Sequence, residues 1–248
     1  MLNISKLRDL TIMEYNNKKL VIACDSCGGI GPKSMDCVSV SAYILGRFLA
    51  RTALMELLSI GATPLAIIDP LSVEMKPTGE EIICGIRDEA GEIGFNTSAG
   101  LNGSTEDNIR TVQTGAGIVV IGEADDLKAS SSPNDLLVCI GYPKVGPEVN
   151  IEDEEICTPS TVKTLLEVYE VREIVPVGSK GIRYEIEALL ERNQLAVHYN
   201  QTDLPMTKSA GPSTCILVSL ADSGLPKLQS IKQPIQIIGR LIGKRLTS

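Results

Sequence analysis

Tyr43-Ile-Leu-Gly-Arg-Phe-Leu-Ala-Arg51-Thr-Ala-Leu-Met-Glu56-Leu-Leu-Ser-Ile-Gly61-Ala-Thr-Pro64-Leu-Ala-Ile-Ile-Asp69 joins two patterns in one breath. Over residues 43–60 the apolar positions Leu45, Leu49, Ala53, Leu57 and Ile60 repeat at helical spacing, and Leu54 and Leu58 widen the stripe. Gly61 supplies a helix C-terminal stop, and Pro64 blocks any continuation. Leu65 to Asp69 then reads as a buried strand ending in a carboxylate. A long amphipathic helix, a tight glycine turn and a strand make a layered fold in which helices cover a sheet.

The same alternation extends in both directions. Before the helix come a strand at Leu20–Asp25, a glycine-rich loop at 26–34 and a second short strand at Asp36–Ser41, while residues 1–19 read as polar and end in a turn at Asn16-Asn17. After it come a helix at 80–94 with Ile82, Ile83, Ile86, Ala90 and Ile93 inward, a polar loop at Gly100–Asn108, and a strand at Gly117–Gly122. The polar, Ser-rich segment 125–135 reads as a linker. Beyond it, strands are expected at 136–140, 173–177, 195–199, 215–220 and 235–242. Helices are expected at 159–171, with Val162, Leu165, Leu166 and Tyr169 on one side, and at 182–193. The expectation is an α+β or α/β chain of two domains, 1–124 and 134–248.

Composition narrows the function classes. The chain has 248 residues, of which 43% are hydrophobic, so a packed core is expected rather than disorder. With 31 acidic and 23 basic residues its net charge is −8, which offers no basic surface for a nucleic acid backbone. One histidine, His198, excludes multi-histidine metal sites; in the strand Leu-Ala-Val-His-Tyr it reads as structural. No apolar run approaches the roughly 20 residues of a spanning helix. The first residues lack the apolar stretch of a secretory signal, so a cytoplasmic location with no membrane partner is expected. Seven cysteines, an odd number, argue against a disulfide framework. Cys24-x-x-Cys27 has no second pair at zinc spacing, and Cys24 in its apolar strand reads as a buried thiol.

The candidate chemistry lies in loops. Asp25, Asp36, Asp69, Glu106 and Asp107 are hard oxygen donors at strand ends and loops, suited to Mg²⁺ bridging phosphates; the alternative is a set of solvated loop acids. Gly28, Gly29 and Gly31 with Lys33 allow backbone N–H groups and one cation to converge on an anion. Gly178-Ser179-Lys180-Gly181 precedes a helix whose first N–H groups can hold an anion, or it is a plain turn.

Three segments carry a family resemblance. Arg51 to Pro64 resembles the helix-and-turn motif of the aminoimidazole-ribonucleotide synthetase (PurM-like) superfamily. Gly103-Ser104-Thr105-Glu106-Asp107 is similar to its phosphate and magnesium loop, and Ser209 to Val218 to the last strand motif of its C-terminal domain. The superfamily holds thiamine-monophosphate kinase, selenophosphate synthetase and a hydrogenase maturation dehydratase. Asp25-Ser-Cys-Gly-Gly-Ile-Gly, Asn102 to Asn108 and Pro176 to Gly181 resemble its short branch of α-ribazole kinases. Pro-Val-Gly-Ser-Lys-Gly-Ile stands where the kinases carry an acidic Asp-x-Ser-Asp-Gly-Leu motif, so one metal-binding Asp is missing and Ser179 and Lys180 stand in.

The resemblance implies an N-terminal domain that pairs with its twin into a shared β-barrel, with ATP bound near that interface. It implies a kinase that uses ATP and Mg²⁺ on a small nucleoside acceptor. Asp25, Asp36, Glu106 and Asp107 would hold Mg²⁺. Gly28, Gly29, Gly31, Lys33, Gly103, Ser104, Thr105, Asn108, Gly178 and Ser179 would contact phosphates or nucleotide, and Asp69 and Lys180 would serve catalysis. Another reaction of the superfamily, or nucleotide binding without turnover, are the alternatives.

Overall fold

The structure is a computed structural model that describes residues 3–15 and 18–244; the turn expected at Asn16-Asn17 lies outside the described residues. The chain divides into two compact units, Met1–Leu127 and Lys128–Ser248.

In the first unit, β1 (Asn3–Leu7), β2 (Leu10–Tyr15) and β3 (Lys18–Gly28) form an antiparallel meander. β4 (Ile30–Gly31) and β5 (Val38–Ser39) make a small parallel pair. Helix α1 (Ala42–Ser59) leads into β6 (Thr63–Pro70), α2 (Glu80–Glu92), a single turn α3 (Thr97–Gly100), β7 (Leu101–Ser104) and β8 (Gly115–Ala124). The six-stranded sheet runs β1-β2-β3-β8-β6-β7, antiparallel throughout except for β6–β7.

The helix α1 begins where Ser41 accepts the Ile44 N–H and ends where the Gly61 N–H reaches the Leu58 carbonyl. All five expected stripe residues of α1, with Leu54 and Leu58, are buried. Their floor is one face of the sheet: Ala116, Ile118, Val120, Gly122 and Ala124 of β8 are buried, and each intervening residue is only half-buried. On α2, Ile82, Ile86, Ala90 and the flanking Ile93 are buried and Ile83 is half-buried. Between α1 and α2, Glu89 is wholly buried and bridges Arg51 and Arg47 at 2.6 Å each.

The opposite sheet face stays open. Met13, Leu20, Ile22, Ala66, Ile68, Val119 and Ile121 are half-buried there, and Ile4, beside Met13, is 60% exposed.

The second unit carries β9 (Leu136–Gly141), α4 (Pro159–Leu166), β10 (Val171–Pro176), α5 (Gly181–Asn193), β11 (Leu195–Tyr199), β12 (Cys215–Leu220) and β13 (Ile235–Gly243). The sheet order is β10-β12-β9-β13-β11, all antiparallel. Central β9 and β12 are buried on both faces. Ile182, Ile186 and Leu189 of α5 pack with Leu137, Cys139 and Leu217.

Four local expectations need correction. Residues 3–15 are a hairpin, not a polar lead: Leu10 and Ile12 are buried at strand spacing, and Arg8 takes φ 54 in the turn. The strand expected at Asp36–Ser41 shrinks to Val38–Ser39, because Asp36 is spent on a turn: its side chain accepts the Lys33 N–H. The loop expected at Gly100–Asn108 opens with β7, which pairs in parallel with the end of β6. Helix α4 stops at Leu166, where the chain turns toward β10, leaving Tyr169 92% exposed.

Candidate functional site

The glycine-rich loop at Lys33-Ser34, the segment after β6 at Glu74 and the loop after β7 line a cavity of about 560 Å³ in the first unit. Its charged lining is Lys33, Glu74, Glu106, Asp107 and Arg110; Ser34, Asn108, Ile109, Thr111 and Val112 complete it. A second hollow of about 480 Å³, lined by Gly28, Gly29, Cys37, Ser72, Gln113 and others, shares Thr111 with the first.

Backbone stitches hold these segments together. Leu71 N–H donates to the Ser104 carbonyl, Glu106 N–H to the Val73 carbonyl, and Ser72 N–H to the Gly115 carbonyl, all within 2.8–2.9 Å. Asp107 ties the same two segments by its side chain: Oδ1 accepts the Met75 N–H at 3.0 Å and Oδ2 the Thr105 hydroxyl at 2.7 Å. Those two bonds hold its carboxyl below the usual range, against slight burial and the nearby Glu74 charge. Glu106 Oε1 accepts the N–H groups of Asn108 and Ile109 at 2.7 and 3.2 Å. Glu106 is therefore oriented by its own loop, and Asp107 by its own loop and the Met75 segment together.

Lys33 lines the same cavity. Its Nζ lies 2.5 Å from Glu74 Oε2 and 3.4 Å from the Thr111 carbonyl. The other oxygen of Glu74 accepts the Thr78 hydroxyl. Burial pushes the Glu74 carboxyl up, but the bonds from Lys33 and Thr78 and the Lys33 charge outweigh it and hold it at about 2.

Asp36 fastens the Lys33 loop from below. It accepts the Thr114 N–H and hydroxyl at 2.8 and 2.7 Å and the Lys33 N–H at 2.8 Å. Burial raises its carboxyl, but those bonds and the Lys33 charge bring it below the ordinary value. Gly31 is buried against the same pair: a Cβ there would lie 2.5 Å from Thr114 Oγ1. Asp36 and Gly31 build the loop and do not line the cavity.

Asp69 lies behind the acidic loop. It is 2% exposed, its Oδ2 has no hydrogen-bond partner, and a Cβ on Gly103 would fall 1.9 Å from its Oδ1. Burial pushes its carboxyl up to about 6, although its own N–H and the Arg87 charge pull the other way. Asp25 is half-buried on β3, and burial raises its carboxyl despite bonds from the Ser26 N–H and Thr52 hydroxyl. Of the four acids assigned to metal by resemblance, only Glu106 and Asp107 line the cavity.

Among the described residues, no group of three or more His, Cys, Asp and Glu side chains is arranged to hold a metal ion. The loop carboxylates Glu106 and Asp107 line the cavity and could supply one or two oxygen ligands to a hard divalent cation such as Mg²⁺.

The cysteines are free thiols. Cys24 is exposed, contrary to its expected burial, because it falls on the open sheet face. Burial, then the Asp25 and Asp36 charges, push the Cys27 thiol to about 11, so it is no thiolate. His198 is exposed on edge strand β11 rather than packed.

In the second unit, Gly178, Ser179 and Lys180 precede α5. The Gly178 carbonyl accepts the Gly181 and Ala210 N–H groups at 3.2 Å. Ser179 and Lys180 are exposed, and Lys180 Nζ sits 4.1 Å from the centroid of the Tyr184 ring.

Sequence reasoning missed Glu74, Thr78 and Arg110. Glu74 and Thr78 sit one helical turn apart just past a strand end, the one signal that would have found them.

No protein-family model and no curated protein matches this sequence. Solved structures do. Thiamine monophosphate kinase from Aquifex aeolicus superposes with a TM-score of 0.68 at 13% identity, over 96% of this chain and 90% of that one. AaThiL complexed with AMPPCP and TMP gives 0.65 at 11% identity, over 95% and 84%. T. maritima PurL complexed with ATP gives 0.62 at 17% identity, over 98% of this chain but 42% of that larger one. At these identities the likeness is one of fold. The chain has the PurM-like fold, that of the aminoimidazole-ribonucleotide synthetase superfamily.

Proposed function

We propose that this chain is an ATP- and Mg²⁺-dependent kinase that phosphorylates the 5′-hydroxyl of α-ribazole. One observation carries the kinase reading. The cavity of the first unit is lined by a cation, Lys33, and by two preoriented carboxylates, Glu106 and Asp107. It lies in a fold whose solved examples include complexes with AMPPCP and with ATP. The acceptor rests on the sequence resemblance to α-ribazole kinases.

In this reading the acceptor oxygen forms a bond to the γ-phosphorus, the bond to the β-phosphate oxygen breaks, and ADP leaves; the hydroxyl proton passes to solvent. Such transfer needs positioning and charge compensation more than covalent chemistry. Mg²⁺, when bound, would supply charge neutralisation on phosphate oxygens. Glu106 and Asp107 would hold it. Asn108 lines the cavity beside the phosphates and Lys33 compensates their charge, while Gly103 and Ser104 of β7 and Thr105 do not line it: the Ser104 carbonyl is taken by Leu71 and the Thr105 hydroxyl by Asp107. Gly28 and Gly29 border the adjoining hollow. Ser179 and Lys180 of the second unit offer a hydroxyl and an ammonium group to an anion. Asp69 supports the loop from behind and is not a base in this scheme, since it is 2% exposed.

Residues 1–124, within the first unit, are the proposed ATP-binding and dimerising domain, and 134–248 the C-terminal domain. The open apolar face of its sheet is the surface proposed for a second copy of the chain. The thiamine-monophosphate kinases among the solved structures favour one second reading, in which thiamine monophosphate is the acceptor.

The test incubates the chain with Mg²⁺ and γ-labelled ATP, with α-ribazole, thiamine monophosphate or no acceptor, beside Asp107→Asn. Label in α-ribazole, lost in the variant, is the expected result. Label only in thiamine monophosphate replaces the acceptor, and no transfer to either overturns the kinase.

A further inference from the structure

The cavity of the first unit carries three carboxylates, Glu74, Glu106 and Asp107, against two cations, Lys33 and Arg110. The stronger of those cations is already committed. The Lys33 side chain is 12% exposed, and its ammonium lies 2.5 Å from Glu74 Oε2. Arg110 is exposed at the rim. A polyphosphate entering alone meets a wall of net negative charge whose one inward lysine is neutralised. It must displace Glu74 from Lys33 or leave that charge beside its own oxygens, and both are unfavourable at near-surface permittivity.

Glu74 cannot swing away easily. Its second oxygen accepts the Thr78 hydroxyl, and its carbonyl accepts the Gly79 N–H at 2.9 Å. Its neighbours on both sides are stitched to the acidic loop, Val73 through Glu106 N–H and Met75 through Asp107. The carboxylate is thus a fixed negative charge beside the lysine that would bind phosphate.

From this geometry we infer that Glu74 is a specificity-determining residue: it makes the cavity reject a metal-free polyphosphate and accept one that carries a divalent cation. The cation offsets the charge Glu74 imposes, and the anion then shares Lys33. The inference rests on the reading of this cavity as a polyphosphate site, and it does not depend on the acceptor or on turnover.

The test is isothermal titration of the full chain and of Glu74→Gln with ATP and with inorganic tripolyphosphate, each with Mg²⁺ and with EDTA. The wild type should bind the Mg²⁺ forms about tenfold or more tighter than the metal-free ones, the effect of one unit charge several ångströms away. Glu74→Gln should narrow that ratio to within about threefold, chiefly by gaining affinity for the metal-free anion. Thr78→Val, which keeps the charge, should retain the wild-type ratio. If Glu74→Gln does not fold, Lys33→Met decides: leaving Glu74 unopposed, it should widen the ratio.

A wild-type ratio in Glu74→Gln overturns the inference while leaving the polyphosphate site standing. Equal loss of both forms in a folded Glu74→Gln also overturns it, since Glu74 would then serve only to hold Lys33. Binding of tripolyphosphate without ATP refutes the nucleotide reading, and the inference is then judged on the tripolyphosphate ratio. If neither anion binds in either form, both fall.

Discussion

Replacing Asp69 with Asn should make the protein more stable at neutral pH, not less. Asp69 is 2% exposed, and its Oδ2 has no partner. Burial raises its carboxyl from 3.8 to about 6 in the folded chain. A raised carboxyl favours the neutral form in the fold. Its penalty is absent below the unfolded value, grows as pH rises between the two, and is complete above about 6. The gap of roughly two units corresponds to about 3 kcal/mol at pH 7.5. The amide of Asn gives back part of this by burying an N–H group without a partner, at about 1 kcal/mol or more. Asp69→Asn should therefore gain about 1–2 kcal/mol at pH 8, and the gain should shrink by about 1 kcal/mol at pH 5. Urea unfolding of both proteins across that range measures it. A difference that does not change with pH, or a loss at pH 8 larger than at pH 5, would refute the reasoning, because the Asp69 carboxyl would then not be charged against its surroundings.

Three further outcomes follow from the packing. Gly103→Ala puts a Cβ 1.9 Å from Asp69 Oδ1, so β7 must shift; a loss of about 2–3 kcal/mol in thermal melts is expected. Glu89→Ala leaves Arg51, 2% exposed, and Arg47 without their shared counter-charge, and should cost about 3–5 kcal/mol in denaturant unfolding. On the open sheet face, Ile121→Glu should convert the proposed dimer to monomers in light scattering without lowering the melting temperature of the monomer; an unchanged mass refutes that interface.

The long elements were legible in the sequence because their signal is local. The α1 stripe, the Gly61 stop and the alternation along β8 need nothing beyond their own side chains. What escaped depends on distant partners. Residues 3–15 form a hairpin only because β2 finds β3, and β7 is a strand only because Asp69 and its neighbours lie beside it. The acidic loop was found because Glu106 and Asp107 stand together in a polar run. Glu74 was not, since its meaning comes from Lys33, 41 residues earlier in the chain. Asp36 and Asp69 have the right chemistry for a metal, but their surroundings spend it, one on three hydrogen bonds and the other on burial.

The stitches around the cavity bear on how the protein would respond to any ligand. Residues 33–36, 71–79 and 104–114 come from three separated stretches, and each is held by hydrogen bonds to another. Dismantling the cavity means breaking hydrogen bonds among all three stretches, including those to the end of the sheet. A ligand there is linked to cooperative unfolding of the whole first unit, and at a hundredfold excess over its Kd adds about 2.7 kcal/mol to that unit's stability. Calorimetric melting with and without the ligand would read that increment.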